Sequence, residues 1–318
     1  MARMEQDDGG ISAEATGPVP GWGWTETSLL GMVLVWGSNF AIVKRTLGAF
    51  DPLAFNGIRF VIASVFVAVV LRARGPIPLP ERKDVPRLAA VGILGNVVYQ
   101  VAFILGLSRA QAGHASVVLA LSPMFTALLS AWRGHERPGT RTWSGAAASI
   151  LGIALVTTSG GEGHGAGVHP AAWGDLVLVG AAFLWAAYTV GSRPIVARYG
   201  SVPTTAWTLW IGTPPLLLVA IPSLMKQRWD VPASAWGGLL FSACLSIGLA
   251  YLIWYRGVEK IGNTRTAIFS NLTPLVALAV SAVWLGERVT PLAMAGVVLT
   301  LGGVMWVRSD PGKRARAG

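Results

Sequence analysis

Apolar residues run through this chain in long unbroken stretches, separated by short clusters of charge, Gly and Pro. A stretch of roughly 20 apolar residues is what an α-helix needs to cross a bilayer. Ten such helices are predicted, at 28–47, 52–72, 86–107, 112–132, 142–158, 171–192, 203–224, 233–255, 266–285 and 290–307. A membrane barrel would instead alternate apolar and polar positions in segments of about ten residues. The pattern therefore predicts an all-α integral membrane protein.

The pattern also recurs within the chain. At a constant offset of 151 residues, Leu121, Pro123, Glu136, Arg137, Gly145 and Gly152 return as Leu272, Pro274, Glu287, Arg288, Gly296 and Gly303. Five spans per half is an odd number, so the second half enters the membrane from the opposite side and the two repeats are inverted. Inverted repeats place a substrate path between the halves and make alternating access simple to encode, which favours a carrier over a channel. The expected divisions are a polar tail (1–27), a first five-helix repeat (28–158), a Gly-rich linker (159–170), a second five-helix repeat (171–307) and a basic tail (308–318).

Composition agrees with an embedded chain. Hydrophobic residues make up 53% and charged residues 13%, against about 25% charge in an ordinary soluble domain. A net charge of +10 would suggest nucleic acid for a soluble protein. Here its distribution points to lipid head groups instead. With the N-terminus inside, only Lys44, Arg45, Arg109, Lys226, Arg228 and Arg288 lie outside. Arg59 falls within the second span, and every other Lys and Arg is inside. Such a bias favours both termini in the cytoplasm. Residues 1–27 lack the basic start and apolar core of a secretory signal and are expected to remain as a disordered tail.

Several chemistries lack their signatures. Cys244 is the sole cysteine, so no intramolecular disulfide or cysteine metal cluster can form. No His-Glu-x-x-His, Gly-x-Ser-x-Gly or nucleotide-binding P-loop occurs. His114, His135, His164 and His169 lie outside span centres. An enzyme, a metal site, a cofactor and direct ATP use are not expected. The glycines between 160 and 167 read as a flexible linker rather than a phosphate cradle, which would need a strand before it and a helix after it.

Motifs in both halves carry a family resemblance. The first half contains Ala120-Leu121-Ser122-Pro123-Met124-Phe125-Thr126 with Glu136-Arg137 and Gly145. The second contains Asn271-Leu272-Thr273-Pro274-Leu275-Val276 with Gly286-Glu287-Arg288 and Gly296. Trp36-Gly37-Ser38-Asn39-Phe40 and Arg59-Phe60 add to them. Over about 28–307 the chain resembles the paired EamA domains of the drug/metabolite transporter superfamily. The resemblance implies ten helices, five plus five, and export or exchange of small metabolites. The sixth span departs from the first, with Trp185-Ala186-Ala187-Tyr188 where the first has Trp36-Gly37-Ser38-Asn39. Uncharged Thr208 to Trp210 stand where Arg59 would repeat. The central path is therefore expected to be asymmetric.

Arg59 comes seven residues after Pro52, about 10 Å into its helix at ~1.5 Å per residue. An ionisable group at that depth tends to face a cavity or a partner; the plainer alternative is snorkelling to the surface. Asn39, Trp36, Tyr99, Gln100, Trp185, Tyr188 and Asn271 are the other candidate binding residues, with Asn56, Asn96, Trp207, Trp210, Tyr251 and Trp254 in reserve. Aromatic walls with a few hydrogen-bonding groups suit a modest amphipathic solute, although a single Trp more often simply packs. Pro123 and Pro274 are read as equivalent mid-helix prolines, either hinges or tolerated bends. Gly145, Ala148 and Gly152, with Gly296, Thr300 and Gly303, form small-residue faces that serve either packing within the chain or a homodimer. His114 is expected at the surface, and Glu136-Arg137 and Glu287-Arg288 as loop or helix-end charges that fix the connection.

The chain is expected to be a secondary transporter, an exporter of small organic metabolites such as amino acids. The competing reading is a non-transporting receptor or assembly protein on the same fold. A continuous polar cavity between the halves separates the two.

Overall fold

A computed structural model of the chain describes residues 23–75, 77–132, 139–159, 170–261, 269–270 and 272–308. All regular structure among them is helical. In chain order the helices are α1 (Trp24–Thr46), α2 (Pro52–Arg74), α3 (Val85–Arg109), α4 (Ala112–Leu119), α5 (Ser122–Trp132), α6 (Thr140–Ser159), α7 (Pro170–Tyr199), α8 (Ser201–Lys226), α9 (233–261), α10 (Thr273–Leu285) and α11 (Pro291–Arg308). Six of these, α1, α2, α3, α7, α8 and α9, are long and apolar enough to cross a membrane; four shorter apolar helical segments accompany them. The tail 1–22, the linker glycines, Glu136-Arg137 and Asn271 lie outside the described residues.

Local chemistry sets several boundaries. Asp51 caps α2, its carboxylate accepting from the Leu53 amide at 3.0 Å, and Pro52 takes the first position, where its missing N–H costs nothing. The span expected over 112–132 is broken at Ala120 and Leu121, where the Ala120 amide turns back to the Ser116 and Val117 carbonyls and closes α4. This corrects the mid-helix placement of both prolines. Pro123 is the second residue of α5 and Pro274 the second of α10, because a proline starts a helix more readily than it interrupts one. Two helices also widen into π-type turns, at Leu94–Val98 in α3 and Phe241–Leu249 in α9. The 151-residue offset carries Leu94 to Leu245, so the two widenings are equivalent.

Helix packing is set by the small residues. At Gly152 a Cβ would lie 2.6 Å from the Gly296 carbonyl, and at Gly303 2.5 Å from the Gly145 carbonyl. Between these contacts the Ser149 hydroxyl reaches the carbonyl of Thr300, its own repeat equivalent, at 3.2 Å. Residue 145 meets 303 and 152 meets 296, so α6 and α11 run antiparallel about a local two-fold axis. In lipid no hydrophobic drive pairs such helices; close backbone approach and van der Waals contact do. The small-residue faces are thus used within the chain. Elsewhere α1 packs on α9 and α10, α3 on α7, α5 on α7, and α2 on α8. At the end of the molecule holding the α2–α3 loop, Arg198 of α7 pairs with Glu81 and, at 2.9 Å, with Asp84, which also accepts from the Tyr199 hydroxyl at 2.6 Å.

Candidate functional site

Arg59 is drawn into the protein rather than out to its surface. Its side chain is 4% exposed, and its Nε and Nη1 have no hydrogen-bond partner. The guanidinium carbon lies 5.9 Å from the Phe60 ring centre and 6.0 Å from that of Phe103, the distance at which an aromatic face attracts a cation. Asn56, one turn earlier on α2, donates through Nδ2 to the Gln100 carbonyl at 3.3 Å. The side-chain oxygens of Asn39, Asn56 and Gln100 are buried and unpartnered. Buried polar atoms are nearly always paired, so a group of unpaired ones on α1, α2 and α3 calls for a partner from outside the chain.

Aromatic rings adjoin these polar atoms. Tyr99 stacks on Phe103 at 6.0 Å between ring centres, Tyr99 meets Trp185 at 5.0 Å, and Trp185 meets Tyr188 at 5.3 Å. Phe40, next to Asn39, joins the row against Phe103 at 6.1 Å. Tyr188 lies flat over Gly95, and its hydroxyl approaches the Thr208 hydroxyl at 3.3 Å. The π-type turn at Leu94–Val98 ends just before Tyr99 and Gln100. An extra residue in that turn rotates the remainder of the helix, and such turns concentrate at functional sites.

The candidates therefore divide. Arg59, Tyr99, Gln100, Trp185 and Tyr188 gather, with Asn39 beside them through Phe40. Trp36 packs on Tyr251 at 6.0 Å and Trp254 at 5.7 Å while its indole N–H is held by the Ser246 carbonyl at 3.0 Å, and Tyr251 links this second aromatic group to Arg59 and to the cluster around Phe60. Pro123 and Pro274 stand at helix starts, and Asn271 lies outside the described residues. Phe103 went unnoticed in the sequence; its i, i+4 spacing from Tyr99 is the signal that puts both rings on one face. A cavity of about 290 Å³ is lined by Arg87, Val91, Leu94, Leu129, Trp132, Ala187 and Val190 among others, and no ring of the row lines it. Leu94 and Ala187 in its wall are the chain neighbours of Gly95 and Tyr188.

A second polar group lies where α1, α3, α4 and α7 meet. The Lys44 ammonium donates to the carbonyls of Leu107, Ser108 and Ala110 at 3.1, 2.9 and 2.6 Å, capping the C-terminus of α3. Glu287 accepts from the amides of Ala112 and Gly113 at 2.7 and 2.9 Å, capping the N-terminus of α4. Glu287, expected as a loop or helix-end charge fixing its own connection, instead reaches into the other half of the chain. His114, expected at the surface, is instead 5% exposed and faces Asp175, Nδ1 to Oδ2, at 3.9 Å. Close approach of α7 to α3 at Gly174, where a Cβ would lie 2.6 Å from the Ala110 amide, is what covers it. No group of three His, Cys, Asp or Glu able to hold a metal ion occurs among the described residues.

Two stretches, residues 23–158 and 172–309, match the EamA-like transporter family. A probable terminal-alkyne amino-acid exporter of Streptantibioticus cattleyicolor is 30% identical over 293 residues, covering 91% of this chain and 95% of its own. A probable amino-acid metabolite efflux pump of Salmonella typhimurium is 28% identical over 281 residues, covering 86% and 91%. An uncharacterized transporter of Bacillus subtilis is 29% identical over 276 residues, covering 86% and 87%. One solved structure superposes with a TM-score of 0.60 at 21% identity, over 91% of this chain and 97% of that one, and so shares the fold.

Proposed function

We propose that this chain, which belongs to the EamA-like transporter family, is a secondary exporter of small zwitterionic metabolites, amino acids foremost, working by alternating access between two inverted five-helix repeats. It is a multi-pass membrane protein. In our reading ten segments span the plasma membrane, with both termini cytoplasmic as the distribution of Lys and Arg favours. The repeats take the divisions 28–158 and 171–307.

One observation carries the substrate class: unpaired buried polar atoms of both kinds beside a row of aromatic rings. Arg59 offers two unpartnered donor nitrogens, Nε and Nη1, suited to a carboxylate. The free oxygens of Asn39, Asn56 and Gln100 suit an ammonium. Tyr99, Trp185 and Tyr188 supply an apolar wall with cation-attracting faces. A single central cation favours a carboxylate over a doubly charged phosphate. Two relatives named for amino-acid export agree with this chemistry. The cavity beside Leu94 and Ala187 is read as the cytoplasmic approach, and Pro123 and Pro274 as the points where α5 and α10 pivot.

Reconstituted protein tests the reading through counterflow of tritiated L-phenylalanine and L-leucine, comparing wild type with Arg59→Ala and Tyr188→Ala. Saturable counterflow whose apparent affinity falls roughly tenfold or more in the folded variants is the expected result. Folded, inserted wild type that moves neither probe nor any member of a wider amino-acid panel would remove the amino-acid assignment.

A further inference from the structure

We infer that His114 and Asp175 form the binding site of the coupling proton, so that export is driven by proton antiport. The inference rests on the transporter reading above and names the ion that the reading leaves open.

The argument is one of hydrogen-bonding capacity. At this joint of α1, α3, α4 and α7 sit one ammonium, Lys44, two carboxylates, Asp175 and Glu287, and one imidazole, His114. An ammonium has three donors, and Lys44 spends all three on the carbonyls of Leu107, Ser108 and Ala110. Glu287 spends its two oxygens on the amides of Ala112 and Gly113. Asp175 is left 3% exposed, with Oδ1 unpartnered and Oδ2 3.9 Å from the His114 Nδ1, and its charge is felt by the Lys44 ammonium together with that of Glu287. That separation exceeds a hydrogen bond, so no proton bridges the two groups in this state. With His114 neutral, the four groups carry one more negative than positive charge at a buried joint, where an unpaired charge is costly. One proton on the imidazole cancels it and turns the gap into an ion pair.

Among the described residues the neighbouring elements offer nothing else to do this. Arg45 and Arg109 are exposed, turned to the Trp284 ring and the Leu105 carbonyl. Arg288 is exposed, and α10 carries no charged residue. The charges described on α6 and α11, and Arg193 and Arg198 on α7, stand at the far ends of their helices.

The site also lies where a proton can act on conformation. His114 belongs to the first repeat and Asp175 to the second, so protonation pulls the halves together at this end and deprotonation releases them. In the proposed orientation this end faces outward. A proton taken up there and released to the cytoplasm accompanies one substrate carried out.

The test uses full-length protein in liposomes containing pyranine, with tritiated L-phenylalanine and L-leucine as probes. Counterflow at equal pH reads transport alone. Accumulation driven by an acid lumen reads coupling, because antiport exchanges a lumenal proton for an entering probe and turns the lumen alkaline. Wild type is expected to show both. Asp175→Asn is expected to keep counterflow while losing at least tenfold of the gradient-driven accumulation and the pyranine signal. His114→Lys, which carries a permanent charge facing Asp175, keeps the pair satisfied even where Asp175→Asn does not fold; it should give flux that no longer varies with pH. Wild-type counterflow without proton movement overturns the proton site and leaves the transporter reading standing. So does gradient-driven accumulation that persists in both variants. Absence of counterflow for both probes and the wider panel removes the amino-acid assignment and this inference with it.

Discussion

A guanidinium seven residues into a membrane helix has to be satisfied somewhere, and Arg59 shows how little the protein itself supplies. Its neighbours are the faces of Phe60 and Phe103, not a carboxylate. A charge held by rings alone is stabilised by only about 0.5–2 kcal/mol, so a substrate carboxylate gains most of the remaining interaction. Arg59→Lys keeps the charge but loses the planar fork. It is expected to weaken apparent affinity less than Arg59→Ala, which forfeits a charged hydrogen bond of about 1.5–3 kcal/mol, roughly tenfold or more. Competition by unlabelled L-phenylalanine in the counterflow assay measures both, and equal affinities in the two variants would remove the charge from recognition. Arg59, Tyr99, Trp185 and Tyr188 were legible in the sequence, because a buried charge and clustered rings are conspicuous in an apolar chain. His114 and Asp175 were not, because both sit near predicted span ends. Their burial comes from Gly174 bringing α7 against the end of α3, a tertiary contact with no local signature.

At the scale of helices, spacing and small residues decide what fits. The apolar runs predicted most of the helices to within a few residues, yet the break at Ala120 and Leu121 went unseen, since an apolar run reads the same whether one helix or two carry it. The π-type turns at Leu94–Val98 and Phe241–Leu249 were equally invisible. The Gly faces of α6 and α11 were visible, but only the structure assigns them to each other. Gly152→Leu would drive a side chain into the Gly296 carbonyl and force α6 from α11. Overpacking of this kind costs about 1–3 kcal/mol, and a lowered melting temperature in detergent should report it. Exposed Gly31→Leu, where a Cβ meets nothing within 4 Å, should leave melting unchanged. A different device fixes the α2–α3 loop. Hydrogen bonding from Lys83 and the nearby Arg198 charge hold the Glu81 carboxyl below its ordinary value of 4.5. A depressed carboxyl stabilises the folded arrangement above its unfolded value and loses that contribution as pH falls through the folded one. Amide exchange of residues 77–84, corrected for intrinsic rate, should therefore stay slow from neutrality to about pH 5 and rise below the ordinary carboxylate range. Glu81→Gln should exchange fast throughout.

Across the whole molecule the two halves are held by contacts that exchange into one another. α3 packs on α7 as α9 packs on α1, and α5 packs on α7 as α10 packs on α1. α6 and α11 meet antiparallel at equivalent residues. A molecule with this symmetry can swap the conformations of its halves at little cost, provided some contact at each end decides which end is shut. At the end carrying Lys44, Glu287 is the strongest such contact, because one carboxylate of the second half takes two amides of the first at 2.7 and 2.9 Å. The aligned peptide dipoles of α4 add to the attraction. Glu287→Ala leaves those amides bare and removes charged hydrogen bonds of about 1.5–3 kcal/mol each. Even half of one such bond shifts a two-state balance several-fold toward opening at this end. A Cys244→Ser background frees the chain of its only thiol, and Tyr188→Cys then places a single thiol in the aromatic row. A membrane-impermeant methanethiosulfonate applied from the Lys44 side should modify that thiol several-fold faster when Glu287→Ala is added, and more slowly from the opposite side. Equal acceleration from both sides would mean that Glu287 stabilises the fold as a whole without selecting between its two openings.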